Sequence, residues 1–224
     1  MTHTKLVVRL FASSIMFSVI LFVCAGRADY AQGWIYFFTN LFASAMHLVV
    51  VRKNPELIAE RSRPGEGIKT WDKVLLGLST VILFANVILA GLDTGRYHWS
   101  PQAPWSVSVA GVIFTLTGQR IFLAALKENK FFSTVVRIQK ERGHTVCDTG
   151  PYRVVRHPGY IGMIVSLAGV PMMLGSAASA VLTLIAIIVL IVRTSLEDRT
   201  LKQELEGYLK YTETTRFKLV PGIW

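Results

Sequence analysis

Charge is scarce in this chain, and negative charge scarcest. Of 224 residues only 14 are Asp or Glu, against 24 Lys or Arg, and charged residues make up 17% of the whole. An ordinary soluble domain sits nearer a quarter. Between Gly159 and Val192 there is no charged side chain at all. Cysteine is nearly missing: Cys24 and Cys147 imply no disulfide framework, and His144, Cys147 and His157 lack both the spacing and the fourth ligand of a zinc site, so no metal is expected. Nor is there a phosphate-cradling glycine loop, a hydrolase nucleophile elbow or a soluble dinucleotide-binding fingerprint. Internal repeats and low-complexity tracts are also lacking.

What fills the chain instead is apolar. Hydrophobic residues reach 52% and the mean hydropathy is +0.45. Four runs, Leu10–Ala25, Gly33–Val51, Val74–Leu92 and Trp105–Leu126, are each close to the roughly 20 residues that cross a bilayer. The fifth, Gly159–Val192, is too long for one span: as a helix it would measure about 50 Å against a hydrocarbon core of about 30 Å. Gly175-Ser176 near its middle offers a turn, so two short helices folded back as a hairpin are expected. No run alternates as a strand would, and backbone polar groups in lipid must be paired internally. The reading is an all-α, polytopic membrane bundle of about six transmembrane helices with a cytoplasmic cap.

Lys and Arg crowd the N-terminus, the connectors 52–73 and 127–156, and the tail from Arg193, whereas the other connectors hold only Arg27 and Arg96. The positive-inside rule then puts both termini and both long basic loops in the cytoplasm, and an even number of spans agrees. This topology separates Cys24 from Cys147 and accounts for the net charge of +10, so no nucleic-acid partner is expected and anionic membrane lipids are the natural one. Lys5 and Arg9 before an apolar stretch resemble a signal peptide, but the stretch is long for one, and a retained first span is expected. One membrane domain covers 1–224: four N-terminal spans to residue 126, then a catalytic loop, hairpin and tail over 127–224. Residues 52–73 fit a short interfacial helix around Leu57 and Ile58, broken at Pro64-Gly65.

The hairpin returns both its ends to one membrane face. That brings the element GPYRVVRHPGY (150–160) beside Arg193 and Glu197, which lie four apart on one helical face. This ordered set, followed by Asp198, GYLKY (207–211), Arg216 and Pro221, resembles the isoprenylcysteine carboxyl methyltransferase family, to which phospholipid N-methyltransferases are also similar. NPELIAERSRPGEG with Trp71-Asp72-Lys73 resembles the upstream half of prokaryotic members. Asp198 departs from the family's usual second Glu, keeping the charge and shortening the reach.

The resemblance implies an inner-membrane enzyme using S-adenosyl-L-methionine to methylate a lipophilic small-molecule or prenylated acceptor. Its most direct form is ester formation on an isoprenylcysteine-type carboxylate, with methylation of a thiol or a phospholipid amine as alternatives. Tyr152, His157, Pro158, Tyr160, Glu197 and Tyr208 would then hold the donor. Arg193 and Glu197 would be catalytic, with Arg193 and Arg216 binding the acceptor. Plainer roles stand beside these: an Arg193–Glu197 salt bridge, interfacial anchoring by Tyr152 and Tyr160, an amphipathic stripe of Tyr208 and Tyr211, and Arg156 as a marker of the membrane edge. Two other functions stay open, an NADPH-dependent sterol-type reductase and a non-catalytic polytopic protein. The oligomeric state and the acceptor's identity are not legible.

Overall fold

A computed structural model describes residues 3–224. Its helices, in chain order, are α1 (His3–Ala25), α2 (Ala31–Val51), α3 (Pro55–Ser62), α4 (Thr70–Ala90), α5 (Trp105–Glu128), α6 (Pro158–Leu174), α7 (Ala177–Glu204) and α8 (Tyr208–Thr214). Among the described residues there is no strand. Four helical segments, Ala31–Val51, Thr70–Tyr97, Trp105–Glu128 and Ala177–Glu204, are long and apolar enough to cross a membrane, and Leu10–Ala25 and Pro158–Leu174 are shorter apolar helices. The second of the long segments extends α4 through a π-helical turn at Gly91–Tyr97.

The hairpin forms where the sequence offers a turn. Gly175 caps α6 in the left-handed region (φ +66°), and its N–H and that of Ser176 return to Met172 and Pro171. Ser176 then caps α7 by accepting the Ser179 N–H at 3.0 Å, and its hydroxyl donates to the buried Asp93 at 2.5 Å. The two arms are unequal. At about 1.5 Å per residue, 17-residue α6 is about 26 Å long and 28-residue α7 about 42 Å, so α7 exceeds the hydrocarbon thickness and carries Arg193, Glu197 and Asp198 in its C-terminal part.

α5 and α6 make the closest helix pair, and glycine is the reason. A methyl group on Gly118 would meet the backbone of Gly162 and Ser166, and one on Gly169 would meet Gly111 and Thr115. Small residues let two backbones touch, which is how helices associate where the surrounding solvent is as apolar as they are. This crossing fixes where α6 begins, at His157-Pro158, relative to the end of α5.

The polar connectors are folded. Asn54 caps α3 by accepting the Leu57 N–H at 3.1 Å, Pro55 follows it, and Leu57 and Ile58 are buried. Behind them Arg137 lies against Glu60 at 2.7 Å, both side chains almost fully buried, and Arg137 also reaches Glu141. Burial works against the Glu60 carboxylate, yet the hydrogen bonds from Arg137 and Ser133 outweigh it and hold its pKa below the usual range. The pair ties the 129–142 loop to α3.

Candidate active site

A cavity of about 320 Å³, here called the main cavity for the buried charges around it, lies where α5, α6 and α7 meet the two long connectors and the tail. Its floor is the start of α6 and the polar stretch of α7. Its walls are the loop residues Phe131–Arg137 and His144–Cys147, with Tyr208 and Tyr211 from α8 closing it.

Arg193 is buried, and its guanidinium is already committed on one edge. Nε donates to Asp72 Oδ1 at 2.7 Å, and Nη2 donates to Asp72 Oδ2 at 3.3 Å and to the Thr134 carbonyl at 3.0 Å. Asp72, in the first turn of α4 and fully buried, also accepts the Val136 N–H at 2.7 Å. The Arg193–Glu197 salt bridge, the plainer role that the spacing allowed, is not made: Asp72 takes the arginine, because it is buried beside it and offers two oxygens to its fork. Nη1 has no partner among the described residues. The guanidinium carbon stands 5.6 Å from the Tyr160 ring centre.

Glu197 is turned elsewhere. It accepts the Tyr160 hydroxyl at 2.6 Å and comes within 3.9 Å of His157 Nδ1. The other ring nitrogen of His157 is 3.4 Å from Asp198 and 3.3 Å from the Tyr208 hydroxyl, which itself donates to Asp198 at 3.1 Å. His157 is thus clamped between two adjacent carboxylates of α7. Burial, then the Asp198 charge, push the Tyr208 phenol well above its ordinary range, and it stays a donor.

Arg156, which the sequence offers as an edge marker, is a buried organiser. Nε and Nη2 donate to Asp198 at 2.7 and 3.2 Å, and Nη1 to the carbonyls of Thr215 and Arg216 at 2.9 and 2.6 Å. The backbone N–H groups of Arg156 and His157 donate to Phe217 and Lys218. The tail is therefore strapped across the Arg-His-Pro element. Asp198, read as a conservative departure, is the acid that Arg156, His157, Tyr208 and Lys202 share.

Of the residues singled out from the sequence, Tyr152, His157, Tyr160, Arg193, Glu197 and Tyr208 come together on this cavity. Tyr152 and Tyr160 are buried rather than anchored at an interface. Two residues are not brought there. Pro158 is fully buried under the start of α6, away from the lining, and Arg216 is exposed, contributing its carbonyl to Arg156 but no side chain to the cavity. Asp72, Arg156, Asp198 and His144 were missed as site residues. Buried charge in an acid-poor chain is the signal that finds the first three, since each such acid needs a cation.

His144 completes the wall. Its Nδ1 accepts the Gln139 N–H at 3.2 Å and its ring lies 4.5 Å from Phe131. Burial first, then Arg137 and Arg142, lower its pKa from 6.5 to about 4, so it is neutral near pH 7. The cavity thus combines aromatic faces suited to a flat heterocycle, neutral hydrogen-bonding groups at Asn129, Gln139 and His144, and one accessible carboxylate at Glu197. Arg137, Arg156 and Arg193 are each held by a carboxylate, so they form no cluster of uncommitted cations for a phosphate. Among the described residues no group of acidic, His or Cys side chains is arranged to hold a metal ion.

A family model described as the isoprenylcysteine carboxyl methyltransferase (ICMT) family matches residues 109–203. A probable protein-S-isoprenylcysteine O-methyltransferase of Oryza sativa subsp. indica is 28% identical over 152 residues, covering 67% of this chain and 75% of the relative. Protein-S-isoprenylcysteine O-methyltransferase A of Arabidopsis thaliana is 31% identical over 105 residues, 46% of each chain. The Rattus norvegicus protein-S-isoprenylcysteine O-methyltransferase is 26% identical over 190 residues, 80% of this chain and 61% of the relative. Among solved structures, the eukaryotic intramembrane Ras methyltransferase ICMT superposes with a TM-score of 0.56 over 95% of this chain and 74% of that one. At 18% identity that likeness is one of fold.

Proposed function

We propose that this chain, whose residues 109–203 match the isoprenylcysteine carboxyl methyltransferase family model, is a membrane methyltransferase that uses S-adenosyl-L-methionine and methylates the carboxylate of an isoprenylcysteine-type acceptor. The observation that carries the chemistry is the pairing of Arg193 with Glu197 on one cavity wall, each steered by a different partner. The donor, when bound, supplies an electrophilic methyl group on a sulfonium cation.

The lining fits such a donor. The phenol rings of Tyr152 and Tyr208 and the rings of Phe131 and Phe132 offer faces for an adenine, while His157, Asn129 and Glu197 offer polar contacts to its ribose and amino acid. The Glu197 carboxylate and the Tyr160 π-face favour a neighbouring cation, and Arg193 favours an anion through Nη1. Asp72 keeps the arginine from swinging to Glu197 and leaves Nη1 free of it, so a carboxylate acceptor meets an oriented N–H donor. Transfer from a sulfonium to a carboxylate cancels two charges, so a water-excluding wall favours it, and alignment of the reactants supplies most of the remaining acceleration.

The same reading takes α1, α2, α4 with its π turn, α5, α6 and α7 as six crossings in one domain over residues 1–224. It puts both termini, both long basic loops and the cavity on the cytoplasmic side of a prokaryotic inner membrane. A polar donor then enters from water through the loop cap, while a lipophilic acceptor arrives from the bilayer. A reductase using NADPH is the weaker reading, because the family model and the curated relatives that match are methyltransferases.

Calorimetric titration of the detergent-purified protein with S-adenosylmethionine, S-adenosylhomocysteine and NADPH tests this. Saturable binding of the first two, weakened in His157→Ala and Glu197→Ala with folding intact, is the expected result. Binding of NADPH alone would replace the methyltransferase with a reductase.

A further inference from the structure

A second cavity, of about 260 Å³, lies between α1, α2 and α5. Asn40, at its centre, is about 14 Å along α2 from Ala31, at mid-membrane depth. Its polar lining is unusual for that depth: Ser14, Tyr36, Asn40, Ser44, His47 and Gln119, with no acid and no Lys or Arg among the described residues. Part of this set is satisfied internally. The Ser14 and Ser44 hydroxyls share a hydrogen bond of 2.8 Å, Asn40 Nδ2 donates to the Tyr36 carbonyl at 2.8 Å, and Gln119 Nε2 donates to the Ala43 carbonyl at 3.4 Å.

The rest is not. The hydroxyl of Tyr36, a residue only 6% exposed, has no protein partner among the described residues, and it lines the cavity. The same holds for Asn40 Oδ1, Gln119 Oε1 and both ring nitrogens of His47, whose ring stands 6.0 Å from Phe122. Phe122 is itself a wall of the main cavity, so this chamber is separate but adjacent. Ser13, exposed on α1, opens the chamber toward the lipid. Polar groups left without a partner in hydrocarbon are costly, and a cluster of them around a cavity between membrane helices is read first as a functional site.

We propose that this chamber binds the neutral hydrogen-bonding head, a hydroxyl or a carbonyl, of an amphiphile dissolved in the membrane. The lining supplies donors and acceptors on a phenol, two amides and an imidazole, which match a group that both gives and takes one or two hydrogen bonds. Its described lining holds no acid, Lys or Arg to pair with a charged head, so an anionic or cationic head would be stripped of water without a contact partner. Leu10, Phe17 and Ala43 complete the wall with apolar surface for the adjoining carbons.

The test measures thermal unfolding of the full chain in detergent with farnesol, farnesylacetone, farnesoic acid or farnesane added, for the wild type and for Tyr36→Phe/Asn40→Leu. The alcohol, the ketone or both are expected to raise Tm by about 3–6 °C at ten-fold excess over Kd, and the double variant is expected to lose the shift. A preference for the alcohol or the ketone identifies which neutral head is taken. The proposal fails if all four additives act alike, if the acid is preferred, or if the shift survives in the double variant. It fails also if no additive shifts Tm, including the case where the variant only changes oligomeric state and the chamber is a subunit contact. Should the variant not fold, a diazirine-bearing prenyl alcohol on the wild type decides. Labelled peptides from α1, α2 or α5 support the site, and labels confined to other helices overturn it.

Discussion

Replacing Asp72 by Ala should be among the most damaging single changes outside the cavity itself. Both side chains of the Asp72–Arg193 pair are nearly out of reach of solvent, at 0% and 8% exposure. At about 3 Å and an effective dielectric near 20, their attraction is on the order of 5–6 kcal/mol, and most of it offsets the cost of drying two charges. The intact pair therefore adds little net stability, but removing one partner strands the other. A stranded buried guanidinium costs about 3–5 kcal/mol, and the Val136 N–H loses its acceptor for roughly 1 kcal/mol more. For a chain of this length the sum corresponds to a Tm drop of roughly 10–20 °C. Asp72→Asn keeps an acceptor for Val136 and should fall between. Asp72→Leu/Arg193→Met removes both charges and should recover most of the stability while leaving methyl transfer abolished. Thermal unfolding of the four proteins in one detergent reads this directly. The reasoning is refuted if Asp72→Ala unfolds within about 2 °C of the wild type, or if the double variant is no more stable than Asp72→Ala.

Other consequences are open to the same kind of measurement. His144 has a depressed folded pKa, so the unfolded chain takes up its proton first as pH falls. Stability is therefore full above about 6.5 and lost progressively toward about 4, by roughly 2–4 kcal/mol; His144→Phe should flatten that part of the curve. Tyr160→Phe removes the donor to Glu197, a charge-assisted bond of about 1.5–3 kcal/mol, and calorimetry should show donor affinity falling by about ten-fold or more. Arg156→Met takes one cation from Asp198 and releases the Thr215 and Arg216 carbonyls, so limited proteolysis should cut the tail near residue 215 well before the rest of the chain. Gly162→Leu drives a side chain into the backbone of α5 and should cost several kcal/mol or block assembly, whereas Gly77→Leu, in open space, should be tolerated.

The parts of the fold that sequence reading reached are those governed by local rules. Hydropathy and length located the apolar helices, and Gly175-Ser176 marked the hairpin because only a left-handed cap followed by a new N-cap fits there. The ordered motif brought Tyr152, His157, Tyr160, Arg193, Glu197 and Tyr208 to one cavity. What escaped was pairing at long range. Helical spacing offered Arg193 a partner four residues away, but Asp72, 121 positions distant in sequence, holds it, because the first turn of α4 packs beside the C-terminal part of α7. Arg156 looked like an edge marker since nothing local reveals that it will be buried under the tail. The tight α5–α6 crossing escaped as well, because only the packed helices show that Gly111 and Gly118 meet Gly162 and Gly169.

The most direct test of the account is transfer of a labelled methyl group from S-adenosylmethionine, catalysed by the purified protein in lipid, to an N-capped farnesylcysteine. The account predicts a product that releases its label as methanol in base, as an ester does, with Asp72→Leu/Arg193→Met inactive yet still able to bind the donor. Label that is stable to base, on a thiol or an amine, would contradict the carboxylate assignment. Donor binding without transfer to any of these acceptors, or turnover of NADPH instead, would contradict the function itself.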